Sequence, residues 1–300
     1  MTLPPRVILV HRRTELDDAV ARHGTHGQAA FFLSSRGRSI DELEARHTRT
    51  RSALAAVCAA IPSDWRRGRV ERADLSRFLF EPRDIVVVVG QDGLVANVAK
   101  YLDAQPVIGI NPEPDRNAGV LVCHTPDDAG ALIRTAAQSS ADIEARTMVA
   151  AATDDGQRLL AVNDIFVGHT SHQTARYTLA LPDGRAERQA SSGVIVSTGT
   201  GATGWCRSVW EERRSKIVLP GPTEPRLAWF VREAWPSPAT GTSLVEGVVA
   251  KNARQATLTV EVESDRLVVF GDGIESDALT LSWGQRLRLR LAEQRLRLVR

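Results

Sequence analysis

Apolar residues in the first half of the chain fall in short unbroken runs, whereas in the second half they alternate with polar ones. Val7 to Val10 and Asp84-Ile85-Val86-Val87-Val88-Val89 carry no alternation, the pattern of strands buried on both faces of a parallel sheet. Ala29 to Leu33 and Pro106 to Asn111 read as two further strands. Ser39 with Glu42 reads as a capping box opening a long helix, on which Leu43, Leu54, Val57 and Ile61 share one face. Leu94 to Leu102 and Asp127 to Ala137 supply two more helices. Strands alternating with helices predict an open α/β domain over residues 1–145.

From residue 146 the pattern changes to hairpins. Asp154-Asp155-Gly156 separates Thr147 to Thr153 from Arg158 to Val167, and Pro182-Asp183-Gly184 separates Arg176 to Leu181 from a strand beginning near Glu187. Leu258, Val260 and Val262 alternate with Thr257, Thr259 and Glu261, and Val268 to Phe270 is another short strand. Arg286 to Leu291 alternates arginine and leucine, giving one wet face and one dry face. With one helix near Trp205 to Arg214, residues 146–300 are predicted mostly antiparallel β, with a C-terminal strand placed to return to the first domain.

Composition narrows the class. Three hundred residues suffice for two domains, and 43% hydrophobic with 25% charged residues is ordinary for a globular protein. No apolar run approaches the ~20 residues of a membrane span, and the segment ahead of Val7 lacks the apolar stretch of a secretory signal. Cys58, Cys123 and Cys206 are too widely spaced for a disulfide framework and fit a reducing cytoplasm, the expected location. The net charge is +2 and acids interleave with the arginines, so neither nucleic acid nor membrane is an expected partner. The richest patch, Arg66, Arg67, Arg69 and Arg72, reads as a solvated surface around a loop.

Candidate chemistry sits at two glycine-rich turns. Gly90-Gln91-Asp92-Gly93 follows the apolar run 84–89, where ligands bind outside the carboxyl ends of parallel strands. Such turns aim backbone N–H groups at an anion, and this one also presents a carboxylate. Asp92 is either the cap of the following helix or an acid that orients an alcohol and takes its proton. Asn163-Asp164 is a polar pair inside an otherwise apolar strand, serving either a neighbouring loop backbone or a ligand. Thr198-Gly199-Thr200-Gly201-Ala202-Thr203-Gly204 matches the spacing of a dinucleotide fingerprint, but its hairpin-rich context argues against hydride chemistry. Its hydroxyls and amides remain able to hold a ribose, an adenine edge or a phosphate. His169 and His172 lack the further ligands of a zinc site, so no metal site is expected.

These motifs, in this order, resemble the NAD kinase family over roughly residues 7–275. The family's Gly-Gly-Asp-Gly turn corresponds to Gly90–Gly93, its Asn-Glu pair to Asn163-Asp164, and its Thr-Pro-Thr-Gly-Ser-Thr-Ala-Tyr stretch to Thr198–Trp205. Phe270-Gly271-Asp272-Gly273 looks like its C-terminal Asp-Gly turn. The resemblance implies an α/β N-terminal Rossmann-like domain followed by a mostly antiparallel β-sandwich C-terminal domain. It implies that Asp92 acts on the 2′-hydroxyl of the adenosine ribose of NAD to give NADP. Gly90, Gln91, Gly93, Asn163, Asp164, Ser192, Thr198, Thr200, Gly201 and Thr203 would bind the nucleotides. ATP with Mg²⁺ is the implied donor, small nucleotides the partners, and a homo-oligomer the implied assembly. The chain departs from the pattern at Gln91 (a glycine in the family), Leu94 (a threonine), Asp164 (a glutamate) and Ser192 (an acid in many members). Those details look more like a divergent branch that includes the mitochondrial type and bacterial proteins labelled sugar kinases. Two alternatives stand beside NAD phosphorylation: a kinase of the same fold acting on another nucleoside or sugar alcohol, and a nucleotide-binding protein without turnover.

Overall fold

The computed structural model describes residues 4–138, 141–171, 173–250 and 256–300. The chain divides into two compact units, Met1–Glu144 with Arg297–Arg300, and Ala145–Leu296. No helix among the described residues is long and apolar enough to cross a membrane.

The first unit comprises β1 (Arg6–His11), α1 (Glu15–His23), α2 (His26–Ser34), α3 (Asp41–Ala60), β2 (Arg66–Glu71), β3 (Ile85–Val89), α4 (Asp92–Ala99), β4 (Pro106–Ile110) and α5 (Ala129–Ala136). Its sheet is parallel, in the order β2-β1-β3-β4. All five residues of β3 are buried, because helices cover both faces. Val7, Leu9, Val87 and Ile108 meet Leu54, Val57 and Ile133 of α3 and α5 on one side. The chain end joins this unit: Arg297 and Leu298 pair in parallel with Pro106 and Val107.

Three expectations for this unit are overturned. Ala29 to Leu33 is helical, inside α2, not a strand. An apolar run of five residues does not distinguish a strand from a buried helix turn, and here Thr25 caps the helix by accepting from the Gln28 amide. The Ser39–Glu42 capping box does not form. Helix α3 starts at Asp41, so Ser39 accepts from the Asp41 amide, and Glu42 pairs with Arg116 at 3.2 Å. The arginine-rich segment 66–71 is strand β2, not a loop.

The second unit is almost wholly antiparallel. It contains β5 (Ile143–Thr153), β6 (Arg158–Ala161), β7 (Asp164–His169), β8 (Ala175–Ala180), β9 (Ala186–Ser191), β10 (Gly193–Ser197), α6 (Trp205–Arg213), β11 (Arg226–Arg232), β12 (Glu246–Ala250), β13 (Leu258–Val262), β14 (Leu267–Gly271), β15 (Ile274–Leu281) and β16 (Arg286–Val299). One sheet runs β6-β5-β16-β13-β8-β9 and the other β12-β11-β10-β7-β14-β15. Their inner faces share one core, in which Tyr177, Val260 and Leu287 from the first sheet join Val167, Val196 and Trp229 from the second. Helix α6 covers the outer face of the second sheet through Cys206 and Val209 against Ile195 and Phe230. The predicted strand across 158–167 is broken in two: β6 ends at Ala161 and β7 begins at Asp164, leaving Val162 and Asn163 as a connection.

Candidate functional site

In the first unit the chain passes from β1 to β2 on one side and then to β3 on the other. The sheet order therefore reverses between β1 and β3, the place where open parallel sheets form a ligand crevice at their carboxyl ends. Gly90 to Gly93 leave β3 at that point. The Gly90 amide donates to the Ile110 carbonyl at 3.0 Å, and Gln91 takes the N-cap position in extended backbone. A narrow cleft lined by Gly90, Gln91, Arg12, Thr14, Arg46 and Glu113 starts there.

Asp92 is the first residue of α4 rather than its cap. Its carboxylate reaches a different segment. Oδ1 accepts from the Val120, Leu121 and Val122 amides at 3.0, 2.8 and 3.0 Å, and Oδ2 shares the Val120 amide at 2.9 Å. Four lone-pair positions are available to a carboxylate, so Oδ1 is saturated while Oδ2 retains room for a further donor. The side chain is half-buried. Segment 119–122 has a clear physical origin. Gly119 has φ +68°, and a Cβ at Gly109 of β4 would lie 2.0 Å from the Leu121 carbonyl oxygen. The signal for this segment was present as a glycine inside a strand, which marks close backbone approach.

In the second unit three sequence motifs converge. Thr198 donates its amide to the Asn163 carbonyl at 2.9 Å and its hydroxyl to the Val162 carbonyl. Asp272, in the tight turn between β14 and β15 with φ 56°, accepts from the Val162 amide at 3.1 Å and the Asn163 amide at 2.7 Å. The Asp272 amide in turn donates to the Asp164 carbonyl at 3.0 Å. Gly201 lies so close that a Cβ would sit 2.3 Å from the Asn163 carbonyl oxygen. Asp164 is buried, and burial followed by the neighbouring Asp272 charge pushes its carboxyl up to about 7. Asn163, Thr203 and Gly204 remain at least partly exposed around this buried acid.

The turn 198–204 is not the phosphate cradle expected of it. The Thr200 and Gly201 amides donate to the Thr198 hydroxyl, at 3.0 and 3.3 Å. Those of Ala202, Thr203 and Gly204 donate to the carbonyls of Thr198, Thr200 and Gly201. Five consecutive amides are thus spent on the turn itself. Thr198 is wholly buried, and the Thr200 hydroxyl accepts from buried Arg146 at 3.4 Å. Nor is this a dinucleotide fingerprint, since β10 ahead of it is antiparallel to both its neighbours.

Ser192 stands apart from this cluster. It precedes β10, whose five residues separate it from Thr198, about 20 Å along an extended strand. Its amide donates to the Arg232 carbonyl at 2.9 Å. His169 bonds to Ser171, and His172 lies outside the described residues. Among the described residues no group of three or more His, Cys, Asp or Glu could hold a metal ion. Cys206 is buried, and burial pushes its thiol up to about 11, which makes it a packing residue rather than a nucleophile.

No family model matches the chain. Among curated proteins, it is 27% identical over 221 residues to an NAD kinase of Caldicellulosiruptor saccharolyticus, covering 72% of this chain and 76% of that one. It is 27% identical over 140 residues to an NAD kinase of Chlorobaculum tepidum, covering 46% and 47%. Rat mitochondrial NAD kinase 2 is 25% identical over 252 residues, covering 67% of this chain and 59% of the rat protein.

The chain is similar to a bacterial NAD kinase and to the mitochondrial type, at 25–27% identity over two thirds or more of its length. The matched stretches span about half of the Chlorobaculum NAD kinase and three quarters of the Caldicellulosiruptor one. That both a bacterial NAD kinase and the mitochondrial type align over two thirds or more of this chain fits its mixed motif spelling.

Proposed function

We propose that the protein is a kinase that transfers a phosphoryl group from ATP to the 2′-hydroxyl of the adenosine ribose of NAD, giving NADP. Similarity to NAD kinases supports phosphoryl transfer to an alcohol as the reaction class. The observation that carries the reading is the convergence of Asn163-Asp164, the 198–203 turn and Asp272 around one buried carboxylate. A ribose offers hydroxyl donors, and an ionised Asp164 and the Asn163 amide group are the groups to receive and direct them.

In this reading Asp92 orients the attacking hydroxyl through the spare capacity of Oδ2, while segment 120–122 fixes the carboxylate. Alignment and charge neutralisation supply most of the acceleration in phosphoryl transfer, so a firmly held acid suits the task. Mg²⁺ bound to the donor phosphates would supply charge neutralisation, and the carboxylate on the protein side placed to help hold it would be Asp92. Gly90, Gln91 and Gly93 shape the crevice around Asp92. Thr198 and Gly201 support Asn163 from behind, Thr200 is tied to Arg146, and exposed Thr203 is placed to meet the nucleotide.

Three observations favour the alternatives. Asp164 is one methylene shorter than the family's glutamate, and Ser192 lacks its acid, which together favour a different nucleoside or sugar as acceptor. The engagement of Asp92 by three amides favours nucleotide binding without turnover. ADP release measured with ATP, Mg²⁺ and a panel of NAD, NADH, nucleosides and sugars separates the three. Turnover with NAD that is lost in Asp92→Asn supports the proposal. Turnover confined to another acceptor selects the first alternative, and binding with no ADP release anywhere selects the second.

A further inference from the structure

The alternating run Arg286 to Leu291 has no part in the proposed reaction, and the second unit shows what it builds. In the sheet ordered β6-β5-β16-β13-β8-β9, Leu287, Leu289, Val260, Tyr177 and Leu179 point into the shared core. The residues between them therefore stand on the opposite face. Register places Arg286 beside Glu261, Arg288 beside Thr259, and Arg188 beside Thr178. Arg176 and Arg290 alternate onto the same face, as does Arg158 on β6 at the sheet edge. All six arginines are exposed. Helix α6 covers the other sheet, so no helix of this unit among the described residues lies over them.

We infer that this face docks an extended acidic segment of a partner protein. Glu261 and Glu263 are the carboxylates set among these arginines, and both are occupied. Glu261 is held by Arg286 at 3.0 Å, and Glu263 by Arg188 and the Thr178 hydroxyl. Among the described residues no carboxylate pairs with Arg158, Arg176, Arg288 or Arg290. Asp154 accepts from the Arg286 amide at 3.2 Å and lowers the field at that end. The uncompensated charge therefore lies toward Arg288, Arg290 and Arg158, in a chain whose net charge is only +2.

Spacing and chemistry select the occupant. Arginines at alternate positions of β16 repeat at about 7 Å, which is also the repeat of carboxylates at alternate positions of an extended chain. Guanidinium forks take such carboxylates in pairs. Between Arg158 and the β16 arginines, β5 raises only Ala150 and Ala152, since Val149 and Ala151 belong to the core. None of the residues on this face is aromatic, so the bases of a single-stranded nucleic acid have nothing to stack on. Nor is a large apolar residue exposed on it to anchor a membrane surface. A second copy of this chain fits poorly, because its acidic runs at 15–18 and 41–44 lie in the first turns of helices α1 and α3. Exposed ion pairs are weak singly, so the docking needs several at once.

Fluorescence anisotropy of the full chain with a labelled, end-blocked peptide of alternating glutamate and serine tests the face. The peptide is expected to bind, more weakly as salt rises, and about tenfold tighter than a peptide of the same composition with its glutamates in one block. Its glutamine counterpart is expected not to bind. Arg288→Ala/Arg290→Ala is expected to weaken binding at least tenfold, and Arg288→Lys/Arg290→Lys, which keeps charge but loses the forks, to fall between. Arg38→Ala, exposed in the first unit, is expected to change nothing; circular dichroism checks that each variant is folded. Absence of binding at low salt, equal affinity for the alternating and block peptides, or unchanged affinity in the folded double alanine variant overturns the inference. Arginine-dependent binding of oligothymidylate or of phosphatidylserine vesicles that exceeds the peptide's also overturns it, and assigns the face to nucleic acid or membrane. No turnover enters these measurements, so their outcome is independent of the kinase reading.

Discussion

The Asp272 carboxylate accepts the Asn163 backbone amide at 2.7 Å, although 109 residues separate them in the chain. This bond fixes the break between β6 and β7 and thereby the position of Asp164, the residue that follows. Replacing Asp272 by Asn keeps a side chain that tolerates the positive φ but turns an amide donor against the Val162 and Asn163 N–H groups. A loss of about 1.5–3 kcal/mol in unfolding free energy is expected, with weakened nucleotide binding. Urea denaturation of Asp272→Asn beside wild type measures it, and unchanged stability and binding would show that the clamp is dispensable.

Asp164 makes stability depend on pH with an unusual sign. Its carboxyl lies near 3.8 when unfolded and about 7 in the fold, so between those values the native state binds the extra proton. Stability contributed by this residue is therefore present below pH ~4 and lost as pH rises through 7, by at most about 4 kcal/mol. Asp164→Asn is expected to gain stability at pH 8 but not at pH 5. Thermal melts of both proteins across that range decide the matter; parallel curves would contradict the assigned burial and charge.

Gly109 governs Asp92 from a distance. A Cβ there would collide with the Leu121 carbonyl oxygen and push segment 120–122 off the carboxylate. Gly109→Ala is expected to cost about 1–3 kcal/mol and to reduce turnover without altering Asn163 or its surroundings. Denaturation and kcat together test this, and full activity would detach the segment from function.

Asp92→Asn places an NH₂ group among three donating amides or sacrifices an acceptor. Turnover is expected to fall about 10²–10⁴-fold, the range for a general base, and amide exchange at 120–122 to accelerate. Loss of activity with unchanged exchange would assign Asp92 to the chemistry and deny it a structural role.

Much of the fold was legible because burial wrote itself into short runs. The valines of β3 and the alternating arginine and leucine of β16 admit one interpretation each. The misreadings share a cause: local pattern does not reveal where a backbone turns. Ala29 to Leu33 is too short for its period to separate helix from strand. Asn163 sits in a break created by Asp272, far away in sequence. The glycines of 198–204 suggested a phosphate cradle, yet the Thr198 hydroxyl and neighbouring carbonyls absorb its amides.

The most direct test of the central claim is product identification. After incubation of the wild-type protein with ATP, Mg²⁺ and NAD, mass spectrometry and enzymatic reduction should find NADP phosphorylated at the 2′ position, in step with ADP. Unchanged NAD alongside an active control kinase would contradict the account.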